Sequence, residues 1–102
     1  MDMNEIMRKA QEMQQNLSRV QNELAGKVVT ASAGGGMVSV TMNGRSELQS
    51  VSIDKEVINP DEQAMLQDLI VSAVNEGLKK AQDMAQAEMR KLTGGLNIPG
   101  MF

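Results

Sequence analysis

The side chains that most often carry enzyme chemistry are scarce in this sequence. Its 102 residues include no histidine and no cysteine, which removes the usual zinc ligands, a thiol nucleophile and a histidine general base. Ser39, Thr41 and Ser50 therefore have no histidine that could activate them as nucleophiles. We predict that the protein is not an enzyme and that it uses no metal, no cofactor and no small-molecule substrate.

Two short clusters have residue types that could hold a ligand. The glycine triplet at 34–36 resembles a phosphate-binding loop, but such a loop opens a helix, and here a β-type segment follows. Asp54, Glu56, Asp61 and Glu62 could hold a hard cation, yet the spacing of a calcium-binding EF-hand loop is absent. We interpret the triplet as a hairpin loop and the acidic cluster as part of a strand-to-helix turn.

The charged side chains are distributed unevenly and indicate where an anion could bind. The net charge is −3, with 10 basic and 13 acidic side chains. Residues 61–78 contain four acidic and no basic side chains, whereas residues 79–93 contain four basic and two acidic ones. The basic segment is either a helix end that complements the helix dipole or an anion-binding tip.

Composition alone supports nucleic-acid binding only weakly. Proteins that bind nucleic acid are usually basic, and the only aromatic residue, Phe102, offers no stacking platform for unpaired bases. Contacts from lysine and arginine to a duplex backbone are the remaining option, and these position a protein without reading sequence. The candidates, chosen by charge and position, are Arg8, Lys9, Arg19, Lys79, Lys80, Arg90 and Lys91.

Two amphipathic helices are predicted to position these side chains. In the first, over residues 2–25, the apolar residues follow a heptad spacing: Met3, Ile6, Ala10, Met13, Leu17, Val20 and Leu24. This helix either lies on its own domain or pairs with another long helix as a coiled coil. The second runs from about residue 60 to 93, begins with a capping box at 59–62, and spans roughly 50 Å.

Three strands are predicted between the helices. They cover residues 27–33, 37–42 and 45–54, and the second alternates apolar and polar side chains. Asn43-Gly44 predicts a type I′ hairpin turn, which needs positive φ at both positions, and a change of parity near Gln49-Ser50 predicts a bulge.

The resulting α-β-β-β-α order predicts an α+β subunit, in which a three-stranded antiparallel meander lies between two helices that cover one face. We expect a single domain over residues 1–93 and a flexible C-terminal tail over 94–102. A core built without Phe, Tyr or Trp is small, and open sheet edges can pair with a second copy. A homo-oligomer is therefore predicted. Since the N-terminus lacks the apolar region of a signal peptide and no apolar run is long enough for a membrane span, we expect a soluble intracellular protein.

The order of these segments resembles the YbaB/EbfC family of nucleoid-associated proteins over nearly the whole chain. The most specific combination is GGGxVxVxxNG with LxDLIxxAxNxxxKKA. The segments that carry the resemblance are IMRKAQEMQQNLSRVQNELA, ASAGGGMVSVTMNG, VSIDKEVI, MLQDLIVSAVNEGLKKAQ and LTGGLNIPGMF.

The resemblance implies a bacterial, cytoplasmic, nucleoid-associated protein. Its subunits would dimerise into a tweezer-like shape whose projecting helices grip double-stranded DNA. It supplies no residue-level DNA motif. Ser39 stands where the family pattern has Lys, which removes one basic contact per subunit, and Gly77 lies within a predicted helix, where it costs about 1 kcal/mol relative to Ala.

Two other interpretations follow from the residues. The methionine-rich apolar stripe suits adaptable binding of proteins, as in a chaperone-like coiled-coil module. The acidic balance also fits an adaptor that reaches DNA through a recombination or replication partner.

Overall fold

Helix, three strands and helix follow one another in the predicted order. The computed structural model describes residues 2–92, so the predicted tail and the domain boundary at residue 93 lie outside the described residues. The elements are α1 (Met3–Gly26), β1 (Val28–Ala33), β2 (Val38–Asn43), β3 (Leu48–Ile53) and α2 (Gln63–Leu92). The predicted α+β class and the antiparallel meander, with strand order β1-β2-β3, are confirmed.

Helix α1 is buried only towards its C-terminal end. The Asp2 carboxylate caps its start by accepting a hydrogen bond from the Glu5 backbone N–H at 2.8 Å. Of the predicted apolar heptad, Val20 and Leu24 are buried. Residues 2–15 are all exposed, so the first half of α1 projects away from the rest of the subunit. The longest dimension of the whole subunit, including this projection, is 69 Å.

Helix α2 packs across β1 and β2 on one face of the sheet. The centre of this layer is Val38, Val40 and Met42, each at most 1% exposed. Gly77 lies above them because a Cβ at this position would be 3.1 Å from Val40 Cγ2. The glycine predicted inside the second helix therefore allows close approach of helix and sheet.

The prediction that two helices cover this face is wrong. Strand alternation and register place Val51 and Leu48 on the same face as Val40 and Met42, yet they are 42% and 48% exposed. The physical reason is that α2 lies over β1 and β2, while α1 meets the sheet at the end of β2. The apolar side of β3 is therefore left open to solvent at Leu48 and Val51, whereas Ile53 packs against the core.

The predicted bulge is present, but the predicted type I′ turn is wrong. Met42 pairs with Leu48 and Thr41 with Ser50, so Gln49 is the extra residue. Asn43 belongs to β2, and Gly44 has no positive φ; the positive φ of this turn is at Ser46, at 63°.

The turn differs because Asn43 and Gly44 are not needed there for positive φ. Asn43 is needed for the hydrogen bonds of its side chain, and Gly44 for its close packing against α1. The loop between β2 and β3 spans residues 44–47, and within it the Asn43 Oδ1 atom accepts hydrogen bonds from the backbone N–H groups of Arg45 and Glu47, both at 3.0 Å. Gly44 is required for space: its N–H donates to the Leu24 carbonyl at 2.9 Å, and a Cβ would be 2.7 Å from Leu24 Cδ2.

The start of the second helix also differs from the prediction. Pro60–Glu62 forms a separate 3-10 turn, and α2 begins at Gln63. Asn59 does cap, but its Oδ1 atom accepts from the Asp61 backbone N–H at 3.0 Å. Asn59 is therefore a cap on a shorter element, but the predicted capping box is wrong, because the Asn59 side chain bonds the N–H of Asp61 rather than that of Glu62.

Candidate functional site

The seven basic residues predicted as candidate contacts all lie exposed on the two helices. Arg8, Lys9 and Arg19 are on α1, whereas Lys79, Lys80, Arg90 and Lys91 are on α2. The α2 residues do not form one tip, because the two pairs are ten positions apart, about 15 Å along a helix. The predicted basic tip of this helix is therefore two separate pairs, one near the middle of α2 and one in its last turn.

Besides Arg90, which has an interaction of its own, three of the candidates have partners that limit their availability. The Arg19 Nε atom lies 3.8 Å from Glu23 Oε1 within α1. The Lys80 Nζ atom donates to the Thr30 carbonyl at 2.9 Å, which attaches α2 to β1. The third, Lys91, belongs to the ion-pair group described below.

Other candidates are available to an external ligand. Over the part of the chain that the structure describes, Arg8, Lys9 and Lys79 form no hydrogen bond or ion pair through their side chains. Arg8 and Lys9 lie on the projecting half of α1. Such side chains can move to meet a charged partner without breaking an interaction inside the subunit.

The ends of α1 and α2 meet beside the start of β1. Helix α2 runs antiparallel to β1, since Leu69 lies against Gly34, Lys80 contacts Thr30 and Glu88 contacts Lys27. Lys27 directly follows α1. Consequently the last turns of α2, the last turn of α1 and the first residue before β1 lie at one end of the sheet.

An ion-pair group that we call the Glu88 triad is located at this junction. The Glu88 Oε1 atom lies 2.7 Å from Lys27 Nζ and 3.4 Å from Lys91 Nζ. The Glu88 side chain is 12% exposed, while those of Lys27 and Lys91 are 46% and 74% exposed. The hydrogen bond from Lys27 lowers the pKa of Glu88 and raises the pKa of Lys27, so this pair is charged at neutral pH.

Lys27 and Glu88 were not among the predicted site residues. They are 61 positions apart, and no local pattern joins a residue at the start of a strand to one near the end of a distant helix. Only the antiparallel packing of α2 on β1 brings them together.

The two clusters considered as ligand sites have structural roles. Gly34, Gly35 and Gly36 have φ values of 64°, 68° and 96° and link β1 to β2, as predicted for a hairpin loop. The Asp54 Oδ1 atom accepts from the Glu56 backbone N–H at 3.1 Å. Within residues 2–92, no three His, Cys, Asp or Glu side chains are grouped so that they could hold a metal ion.

Comparison with known proteins identifies the family. The sequence model of the YbaB/EbfC DNA-binding family matches residues 1–96. The chain belongs to the YbaB/EbfC DNA-binding family. The description of this family names DNA binding and no enzymatic reaction. No helix in the described part of the chain is long and apolar enough to cross a bilayer.

Relatives of similar length support this assignment. The chain is 56% identical to a nucleoid-associated protein of Syntrophobacter fumaroxidans, over 93% of this chain and 86% of that protein. It is 52% identical to one of Clostridium novyi, over 100% and 90% of the two chains. The crystal structure of an uncharacterized protein from Helicobacter pylori superposes with a TM-score of 0.84 and 26% identity, covering 92% of this chain and 99% of that one.

Proposed function

We propose that this YbaB/EbfC family member is a cytoplasmic, nucleoid-associated protein that binds double-stranded DNA directly. It acts as a homodimer with low sequence specificity and thereby influences nucleoid organisation and gene expression. The family match supports the DNA-binding part of this proposal, and the names of the relatives support the nucleoid location.

The open face of β3 is the observation that carries the homodimer. Leu48 and Val51 continue the apolar face of the core but remain 48% and 42% exposed, and β3 is an edge strand of the sheet. An apolar strip beside an open edge favours pairing with another chain. A second copy would cover the strip and double the number of cationic side chains.

Low sequence specificity follows from the side chains available for contact. Arg8, Lys9 and Lys79 are long, exposed cations on helix surfaces, and such groups bind phosphates mainly through charge. Phosphate contacts position a protein but carry no sequence information directly. We therefore expect duplexes of different sequence to bind with similar affinity.

Fluorescence anisotropy of a labelled duplex tests the contact residues. The triple variant Arg8→Gln, Lys9→Gln, Lys79→Gln should bind more weakly, with a salt slope reduced by about 0.9 for each phosphate that the variant no longer neutralises. Lys55→Gln is a single-charge control, because Lys55 lies between Asp54 and Glu56 in the turn before α2. An unchanged slope in the triple variant would remove these three residues from the proposal.

One observation favours a second candidate function, a protein-interaction module. Met3, Ile6 and Met13 on α1 are 71%, 48% and 47% exposed and form an adaptable apolar stripe. Suppression of the aggregation of a denatured client protein, without DNA binding at low salt, would support this alternative.

A further inference from the structure

The Glu88 triad places two cations on one anionic oxygen at an accessible junction. Lys27 lies between α1 and β1, and Lys91 lies in the last turn of α2. Both ammonium groups lie within 3.4 Å of Glu88 Oε1. An oxygen of a phosphate group held by two lysines has the same chemistry, because both ligands are anionic oxygens that accept charge-assisted hydrogen bonds.

We propose that Lys27 and Lys91 form a phosphate-binding site that the chain's own Glu88 carboxylate occupies when no DNA is bound. A backbone phosphate of DNA competes with Glu88 for the two ammonium groups. This inference rests on the proposed DNA-binding function and adds Lys27 to the contact residues. It also makes Glu88 an internal competitor of the ligand.

The exposure of the three side chains is consistent with competition at the surface. The Glu88 carboxylate is the most covered of the three at 12%, whereas Lys27 and Lys91 remain 46% and 74% exposed. An incoming phosphate can therefore approach the ammonium groups from solvent. Because Glu88 offsets one of the two positive charges, the site attracts phosphate less than two free lysines would.

A double-mutant cycle distinguishes this site from a general effect of charge. Glu88→Gln, Lys27→Gln and the double variant are titrated against the same labelled duplex at about 100 mM salt. E88Q should tighten binding about two- to fivefold, the range expected for releasing an exposed ion pair. K27Q should weaken binding more in the E88Q background than in the wild type, since Lys27 is released only when Glu88 is neutral.

Asp83→Asn is the matched control for charge. Asp83 is an exposed acid on the same helix, so D83N makes the same change in net charge without touching the triad. A gain in affinity for D83N equal to that for E88Q, or additive effects of K27Q and E88Q, would overturn the proposed site.

Folding and the broader proposal are tested separately. Far-ultraviolet circular dichroism reports whether E88Q keeps its helices. If it does not, Glu88→Ala replaces it: this variant also removes the charge, alanine favours helix, and a gain in affinity is again expected, while no gain overturns the site. Failure of the wild-type protein to bind the duplex at any salt would overturn the proposed function itself. If the wild-type protein binds the duplex but the effects of K27Q and E88Q are additive, only this site is overturned.

Discussion

The close contact between α1 and the β2–β3 turn depends on a missing side chain at Gly44. A Cβ there would lie 2.7 Å from Leu24 Cδ2 and 2.9 Å from the Leu24 carbonyl oxygen. The carbonyl oxygen belongs to the backbone of α1, so it cannot move aside without displacing the helix end. We expect Gly44→Ala to reduce the free energy of unfolding by about 1–3 kcal/mol, the usual cost of overpacking. Urea denaturation followed by circular dichroism measures the change.

Gly26→Ala is the natural comparison for this substitution. Gly26 lies at the end of α1, and a Cβ would meet nothing within 4 Å. Because alanine favours helix more than glycine, the variant should be as stable as wild type or more stable, by up to about 1 kcal/mol. Equal losses in the two variants would contradict the packing role of Gly44.

The Glu88 triad gives stability a dependence on acid pH. Lys27 lowers the pKa of Glu88 from its ordinary value of 4.5, so the folded state binds this proton less readily than the unfolded state. The contribution is therefore complete above pH 4.5 and is lost as the pH falls through the lowered pKa. Urea midpoints between about pH 7 and pH 3 should decline less steeply for E88Q than for wild type, and identical slopes would contradict the pairing.

At the scale of elements, the uneven covering of the sheet is the basis of the homodimer that we propose. Val51 faces the same side as the core, whereas Val28, also exposed, lies on the opposite face at the other edge of the sheet. We expect Val51→Lys to weaken the proposed homodimer about tenfold or more, because it places a charge in the apolar contact.

Val28→Lys provides the matched control for that substitution. Sedimentation equilibrium over a range of protein concentrations should show a shift towards monomer for Val51→Lys and wild-type behaviour for Val28→Lys. Equal behaviour of the two variants, or a wild-type protein that is monomeric at all concentrations, would count against assembly through β3.

Periodicity predicted the elements well because it depends on neighbours in the sequence. The heptad of α1, the alternation in β2 and the parity change at Gln49 each leave a local signal. The turn at Gly44 was mispredicted, because this glycine is required by its contact with Leu24 of α1, which is distant in the sequence. The coverage of β3 could not be predicted either, because periodicity gives the apolar face of a helix but not the strands it covers.

The candidate site was predictable only in its parts. Charge and position along the helices identified seven exposed cations, but did not show which of them already have partners inside the subunit. Lys80 contacts Thr30 and Lys91 contacts Glu88, and Lys27 joins the second group from 61 positions away. Charge counted along a sequence therefore overstates the number of cations that are free to bind an anion.

At the scale of the whole molecule, the effect of the acidic composition on DNA binding depends on where the acidic residues lie relative to the exposed cations. The net charge of −3 opposes DNA on average, but six of the 13 acidic residues lie around the start of α2 and in its first half. Arg8 and Lys9 lie on the projecting half of α1. At physiological salt, charges farther apart than about 8 Å are largely screened, so these distant acids oppose phosphate binding by Arg8 and Lys9 less than Glu5 and Glu12 do, which lie one helical turn away on α1.

The most direct test of the proposed function is the salt dependence of DNA binding by the wild-type chain. Anisotropy of a labelled duplex is measured from about 50 to 200 mM salt, together with an unrelated duplex of equal length. The logarithm of the binding constant should fall with the logarithm of salt at a slope of about −0.9 per neutralised phosphate. We predict a slope equivalent to several phosphates and similar affinities for both duplexes. No binding at the lowest salt, or binding that salt does not weaken, would contradict direct recognition of the DNA backbone.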